Sequence, residues 1–108
     1  MSDMNWNTKE KREFLEAVLS LKNKGEAGRF LRDLLTEGEI EEFSKRLEAA
    51  RMLYKDVQYN AIIEKTGLSS TTIARISKWL KGPLGGYRLV LNNLSHRHNS
   101  LKLGKGLI

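Results

Sequence analysis

Hydrophobic residues recur along this chain at the spacing of helices, with none of the alternation that marks strands. A first helix is predicted to begin after the N-cap Thr8 and to end near Asn23, and a second to begin at about Glu26. Their apolar stripes are Phe14, Leu15, Val18 and Leu19, followed by Ala27, Phe30, Leu31, Leu34 and Leu35. Apolar residues spaced three and four positions apart predict two amphipathic helices.

A capping box opens the third predicted helix, at about residues 37–55. Thr36 and Glu39 have the spacing at which a hydroxyl and a carboxylate each accept a hydrogen bond from the other residue's backbone N–H. Glu42 precedes Arg46 by four residues, which favours an ion pair on the helix surface. The predicted inward seam consists of Ile40, Phe43, Leu47, Ala50 and Tyr54.

Three shorter helices complete the pattern. The fourth covers residues 58–66, Gly67 makes a turn, the fifth begins at Ser69 or Ser70 and ends at Gly82-Pro83, and the sixth covers about 86–95. We therefore expect an all-α fold with a single helical domain at residues 1–95 and a basic, flexible tail at 96–108. Helices this short need extensive packing, which a second subunit can supply.

Charge is segregated along the chain. The first 64 residues carry 13 acidic and 11 basic side chains, and the last carboxylate is Glu64. The remaining residues contain no Asp or Glu and eight basic side chains, so the net charge of +6 resides in the second half. A basic half of this kind predicts a polyanionic partner, and double-stranded DNA is the expected one.

The basic half contains a predicted helix-turn-helix at about residues 58–81. Its second helix begins with four hydroxyl side chains and continues with three cations on one outward face: Ser69, Ser70, Thr71, Thr72, Arg75, Lys78 and Lys81. Hydroxyls at a helix N-terminus can contact phosphates or base edges in the major groove, and the cations can contact phosphates. These seven residues are the candidate DNA-binding residues. A capped helix with an ordinary solvated face is the alternative interpretation.

Other chemistries find little support in the sequence. There is no cysteine, and His96 and His98 have no acidic residue near them, so no metal site is predicted. No Ser/His/Asp or paired-carboxylate constellation suggests an enzyme. No apolar run approaches the roughly 20 residues that cross a bilayer, and the N-terminus lacks a secretory signal pattern. We expect a cytoplasmic, nucleoid-associated protein that does not bind a membrane.

From about Leu34 to Leu94 the chain resembles the Trp-repressor-like helix-turn-helix family. The resemblance is strongest in LLTEGEIEEFSKRLEAARMLY and TGLSSTTIARISKWLKG, which occur in the family's order without a long gap. It implies six helices per chain and an intertwined homodimer whose paired helix-turn-helix motifs bind a palindromic operator.

The resemblance also implies a candidate ligand pocket. In tryptophan-sensing members the corepressor lies between two arginines, beneath a threonine of the dimer partner; the matching residues here are Arg46, Arg75 and Thr36. Where those members have a small glycine and a serine, this chain has Ile76 and Trp79, and Asp33 replaces an apolar residue. Because larger side chains would fill the cavity, we expect no cofactor and no tryptophan corepressor.

The favoured function is therefore a homodimeric repressor that reads a palindromic operator. Two alternatives remain open within DNA binding: a repressor that senses L-tryptophan or another small corepressor, and a weakly specific accessory module of replication or transcription initiation. A third alternative is an interaction protein in which the helix-turn-helix is only a scaffold. The acid-free half argues against that reading, because the cores of protein interfaces are depleted in lysine.

Overall fold

The computed structural model describes the backbone of residues 4–107 and the side chains of residues 4–97. That part of the chain contains helices and no strand. The helices are α1 (Lys9–Ser20), α2 (Lys24–Leu34), α3 (Glu37–Tyr54), α4 (Tyr59–Thr66), α5 (Ser70–Lys81) and α6 (Gly86–Leu107). The predicted all-α class with six helices is confirmed. None of the described helices is both long and apolar enough to cross a membrane.

Local hydrogen bonds explain where the early helices begin. The Thr8 hydroxyl accepts a hydrogen bond from the Lys11 amide at 3.2 Å, so the predicted N-cap of α1 is confirmed. The capping box of α3 is complete, because the Glu39 amide donates to the Thr36 hydroxyl at 3.1 Å and the Thr36 amide donates to the Glu39 carboxylate at 2.9 Å. Hydrogen bonds to the carboxylate from the backbone and the side chain of Thr36 lower the pKa of Glu39.

Two predicted helix ends are wrong. α1 ends at Ser20, because Asn23 is the N-cap of α2 and its side chain accepts from the Glu26 amide at 2.9 Å. α6 continues past the predicted end near residue 95, since no glycine or proline interrupts the chain between Gly86 and Gly104. The flexibility of residues 96–108 stays a prediction. The side chains of His98, Lys102 and Lys105 lie outside the described residues.

The chain divides into two compact units, Met1–Ile40 and Glu41–Ile108. The first contains α1 and α2, and neither of these fully described helices has a buried side chain. Its apolar stripes were predicted correctly as helical faces, yet Phe14, Leu15, Val18 and Leu19 are each more than 40% exposed. The expectation of a single domain at residues 1–95 stays a prediction.

The second unit has a hydrophobic core of its own. Ile62, Ile73 and Ile76 are its largest fully buried side chains. Around them lie the other buried apolar residues, Ala49, Ala50, Leu68, Leu80 and Leu91. Helices α3, α4, α5 and α6 thus all contribute to one cluster. A hydrogen bond also connects α3 to α6, in which the Tyr54 hydroxyl donates to the Asn92 side-chain oxygen at 2.7 Å.

Candidate nucleic-acid interface

The turn between α4 and α5 is held by a buried threonine. The Thr66 hydroxyl donates to the Ile62 carbonyl at 2.7 Å and accepts from the Leu68 amide at 3.2 Å. Gly67 follows with a φ of +74°, a left-handed conformation that glycine adopts without steric cost. The sequence predicted the glycine turn but gave no role to Thr66. Its hydroxyl satisfies two backbone groups and thereby fixes the entry into α5.

Ser69, rather than Ser70, is the N-cap of α5. Its hydroxyl oxygen accepts from the Thr72 amide at 3.1 Å, and the hydroxyl donates to the Thr72 hydroxyl oxygen at 3.0 Å. Two of the four predicted hydroxyl residues, Ser69 and Thr72, therefore form the N-terminal cap of α5. Ser70 and Thr71 are exposed, and their amides belong to the first turn, where α-helices leave N–H groups without helical partners.

The two sides of α5 differ sharply in exposure. Ile73, Ile76, Ser77 and Leu80 are buried, as the apolar spacing predicted for the three hydrophobic residues. The exposed side chains define what we call the reader face: Ser70, Thr71, Ala74, Arg75, Lys78 and Lys81. This face is polar at its N-terminal end and cationic beyond it. The arrangement suits a helix whose first turn meets base edges while its later residues contact phosphates.

Ala74 is the member of the reader face that the sequence reasoning missed. It lies three residues after Thr71 and one before Arg75, and it is exposed. A methyl group at this position can contact the methyl of a thymine in the major groove. The signal was present in the spacing, since positions 71, 74, 75 and 78 share one side of a helix. The seven predicted DNA-binding residues are all polar or charged, so the alanine is not among them.

Electrostatics favour a polyanion at this face. The ion pairs formed by described side chains involve Arg46 and Arg51 in the second unit, and none of them involves the cations of the reader face. No carboxylate follows Glu64 in the sequence, and the exposed Lys65 at the end of α4 adds another positive charge. Positive charge that is not neutralised within the chain is available for phosphates.

The candidate ligand residues have partners within the protein. The Arg46 Nε lies 3.0 Å from a carboxylate oxygen of Glu42, as predicted, and the guanidinium lies 5.7 Å from the centre of the Phe43 ring. Burial raises the pKa of Tyr87, and the nearby positive charge of Arg46 partly offsets that rise. Thr36 is used by the capping box in the first unit.

The remaining pocket candidates lie on α5. Ile76 is fully buried in the core, Trp79 packs half-buried against it, and Arg75 is exposed on the reader face. The ligand-binding and DNA-binding roles of all these residues stay predictions. His96 is exposed, and the described residues contain no group of three potential metal ligands.

Comparison with known proteins extends these observations. The family model described as "Trp repressor protein" matches residues 9–95. The uncharacterized protein YerC of Bacillus subtilis (strain 168) is 37% identical over 86 residues, which cover 80% of this chain and 83% of YerC.

Two solved structures are similar as well. A TrpR-like protein from Eubacterium eligens ATCC 27750 has a TM-score of 0.78 and 38% identity, with 83% of this chain and 93% of that chain covered. A candidate Trp repressor from Staphylococcus aureus has a TM-score of 0.78 and 29% identity, with 86% and 96% covered. The chain belongs to the Trp repressor protein family, whose all-helical fold supports DNA binding and transcription regulation.

Proposed function

We propose that this protein is a sequence-specific repressor that reads a palindromic operator through α5, as a homodimer and without a tryptophan corepressor. The observation that carries the proposal is the reader face. Its exposed Thr71, Ala74, Arg75 and Lys78 lie on one side of a helix whose opposite side is anchored in the core. A helix held in this way presents the same side chains each time it enters a major groove.

The proposed homodimer follows from the first unit. α1 and α2 carry apolar stripes but bury none of their side chains within one chain. Contiguous exposed apolar faces mark surfaces that proteins cover by association. A twofold dimer would place two copies of α5 on one side of the DNA, with half-sites about 34 Å apart. We therefore expect an inverted repeat as the operator. Such a repressor would act in the cytoplasm, at the nucleoid.

Independence from a corepressor rests on two side chains of α5. Ile76 is fully buried and Trp79 packs against the core, so their volume belongs to the interior of this unit. Close-packed interiors accept additional atoms only with strain. We expect titration of the protein with L-tryptophan to give no binding heat. Trp79→Ser, which removes the indole, should raise affinity for tryptophan; saturable binding to the unaltered protein would favour the tryptophan-sensing alternative.

Selection from a random duplex pool tests the main proposal. The selection uses about 150 mM salt, near physiological ionic strength, with excess nonspecific competitor, and is run with and without L-tryptophan. Enrichment of the same inverted repeat in both arms is the expected result. Enrichment only with tryptophan would overturn corepressor independence. Binding at low salt without any enrichment would indicate the weakly specific accessory module instead.

A paired substitution connects the selected sequence to the reader face. Arg75→Ala with Lys78→Ala should weaken binding and lower the salt slope by about 2, because two phosphate contacts are lost. Lys22→Ala with Lys24→Ala removes the same charge from exposed positions of the first unit and is the matched control. Light scattering should give the same dimer mass for both variants. Equal loss of binding in the two variants would mean that total charge, not the reader face, carries the interaction.

A further inference from the structure

An arginine near the start of α6 turns back toward the end of α5. Arg88, in the first turns of α6, is half-buried, and its Nη1 donates a hydrogen bond to the backbone carbonyl of Leu80. That carbonyl lies in the last turn of α5, where helices leave C=O groups without helical partners. A cation at the carbonyl end of a helix also interacts favourably with the helix dipole.

Gly85 provides the space for this contact. Its φ is +68°, and a Cβ at this position would lie 2.8 Å from the Nη2 of Arg88. Any larger residue would therefore strain the backbone and displace the guanidinium from the end of α5. The neighbouring Gly86 has no such restriction, because nothing lies within 4 Å of the corresponding Cβ and its φ is ordinary.

We propose that Arg88 is a positioning residue for DNA recognition: with Gly85, it clamps the C-terminal end of α5 to α6. The inference rests on the proposed DNA-binding function. The N-terminal end of α5 is already held by the Thr66 turn and the Ser69 cap, so the clamp fixes the second end of the same helix. With both ends held, the reader face meets the groove in one orientation. Binding then costs less conformational entropy.

The direction of the side chain separates this role from phosphate binding. Arg75, Lys78 and Lys81 are exposed, whereas the Arg88 guanidinium is directed to a main-chain carbonyl of its own protein. A phosphate contact contributes about 0.9 to the slope of log affinity against log salt concentration. A residue that acts only through the position of α5 contributes to affinity and leaves that slope unchanged. Salt dependence therefore distinguishes the two roles.

The test compares four variants by fluorescence anisotropy on a labelled random-sequence duplex over a range of salt concentrations. Arg88→Met removes the donor while keeping much of the apolar stem, and Arg88→Lys keeps a donor. Gly85→Ala displaces the clamp without changing any charge, and Gly86→Ala is its matched control. A thermal melt of each variant checks that it is folded at the assay temperature. A hydrogen bond made by a charged group corresponds to a loss of about tenfold in affinity if it is felt fully in binding.

We expect Arg88→Met and Gly85→Ala to bind about tenfold more weakly with unchanged salt slope. Arg88→Lys should recover part of the loss, and Gly86→Ala should bind as the unaltered protein does. A slope lowered by about 1 in Arg88→Met, with Gly85→Ala unaffected, would make Arg88 a phosphate contact and overturn the proposal. Unchanged affinity in both clamp variants would overturn it as well.

Hydrogen exchange without DNA separates this proposal from the proposed function. In Arg88→Met and Gly85→Ala the amides of the last turn of α5 and of its C-cap, residues 78–82, should exchange several-fold faster than in Gly86→Ala, because that end of the helix loses its anchor. If the unaltered protein bound no duplex even at low salt, the DNA-binding function would fail. The same measurement would still decide the clamp, since unchanged exchange in residues 78–82 would overturn it.

Discussion

The two units of this protein use similar helices to different effect. In Met1–Ile40, the helices α1 and α2 have clear apolar stripes but bury no side chain. In Glu41–Ile108, by contrast, residues of α3, α4, α5 and α6 form a core in which three isoleucines are fully buried. The difference shows that an amphipathic pattern predicts a helix and its apolar side, but does not predict whether one chain can cover that side.

The units also differ in net charge, because Met1–Ile40 carries eight acidic and seven basic side chains whereas Glu41–Ile108 carries five acidic and twelve basic ones. The acidic residues all occur at or before Glu64, and α5, the helix that carries the reader face, follows them. The unit with its own core also carries the surface suited to DNA. Exposed large apolar residues occur in both units, but α1 and α2 bury no side chain at all. In the proposed repressor, we infer that the first unit associates with a second copy of the chain and that the second unit binds DNA. Four substitution experiments test how different the units are.

The largest expected effect is on the core. Ile73→Ala should lower the free energy of unfolding by about 3 kcal/mol, because it removes fully buried methyl groups and leaves a cavity. Leu19→Ala, at a position that is 83% exposed within one chain, should cost less than about 1 kcal/mol in dilute protein and more at higher protein concentration, because the proposed dimer covers the apolar stripe of α1. Urea denaturation monitored by circular dichroism measures both. A cost for Leu19→Ala that is the same at all protein concentrations would place this residue outside the proposed dimer interface.

The next effect concerns the turn before α5. Thr66→Val keeps the shape of the side chain but removes the hydroxyl that bonds to the Ile62 carbonyl and the Leu68 amide, both of which are in the buried interior. Losing both bonds at a buried site, and above all leaving the Leu68 amide without this acceptor, should cost about 2 kcal/mol in unfolding free energy. Ser20→Ala is the control, since it removes an exposed hydroxyl that bonds to the Ala17 carbonyl. Equal costs would contradict the role assigned to burial.

Two glycines should respond in opposite directions. Gly67→Ala should destabilise the protein by about 1 kcal/mol, because alanine tolerates a φ of +74° poorly although no atom lies within 4 Å of the new methyl. Gly28→Ala, inside α2 and equally free of neighbours, should stabilise it by up to about 1 kcal/mol. Thermal unfolding gives both signs. A gain from Gly67→Ala would contradict the left-handed turn.

The smallest effect is on pH dependence and tests the capping box. The pKa of Glu39 is lowered below its ordinary value of 4.5 by hydrogen bonds from Thr36. The ionised carboxylate therefore stabilises the folded state above that value, and the contribution is lost as the pH falls through the lower folded pKa. Glu39→Gln should reduce the melting temperature slightly near neutral pH and match the unaltered protein in acid. A difference that persists in acid would contradict this origin.

Much of the fold was predictable from residues close together in the chain. Thr8, the Thr36–Glu39 box and Gly67 were identified correctly because caps and turns involve side chains within about four residues of the groups they bind. The buried side of α5 was correct for the same reason, since helical periodicity is a local property. Two helix ends were wrong, because Asn23 was assigned to the preceding helix and α6 had no stop signal near residue 95.

What the tertiary structure decided concerns groups that are distant in sequence or that have more than one possible partner. The pairing of Tyr54 with Asn92 and the contact from Arg88 to the end of α5 both depend on how the helices pack. Periodicity marks an apolar side but contains no information about what covers it. The sequence therefore determined the helices, the charge segregation and the family, and only packing decided which apolar sides form a core.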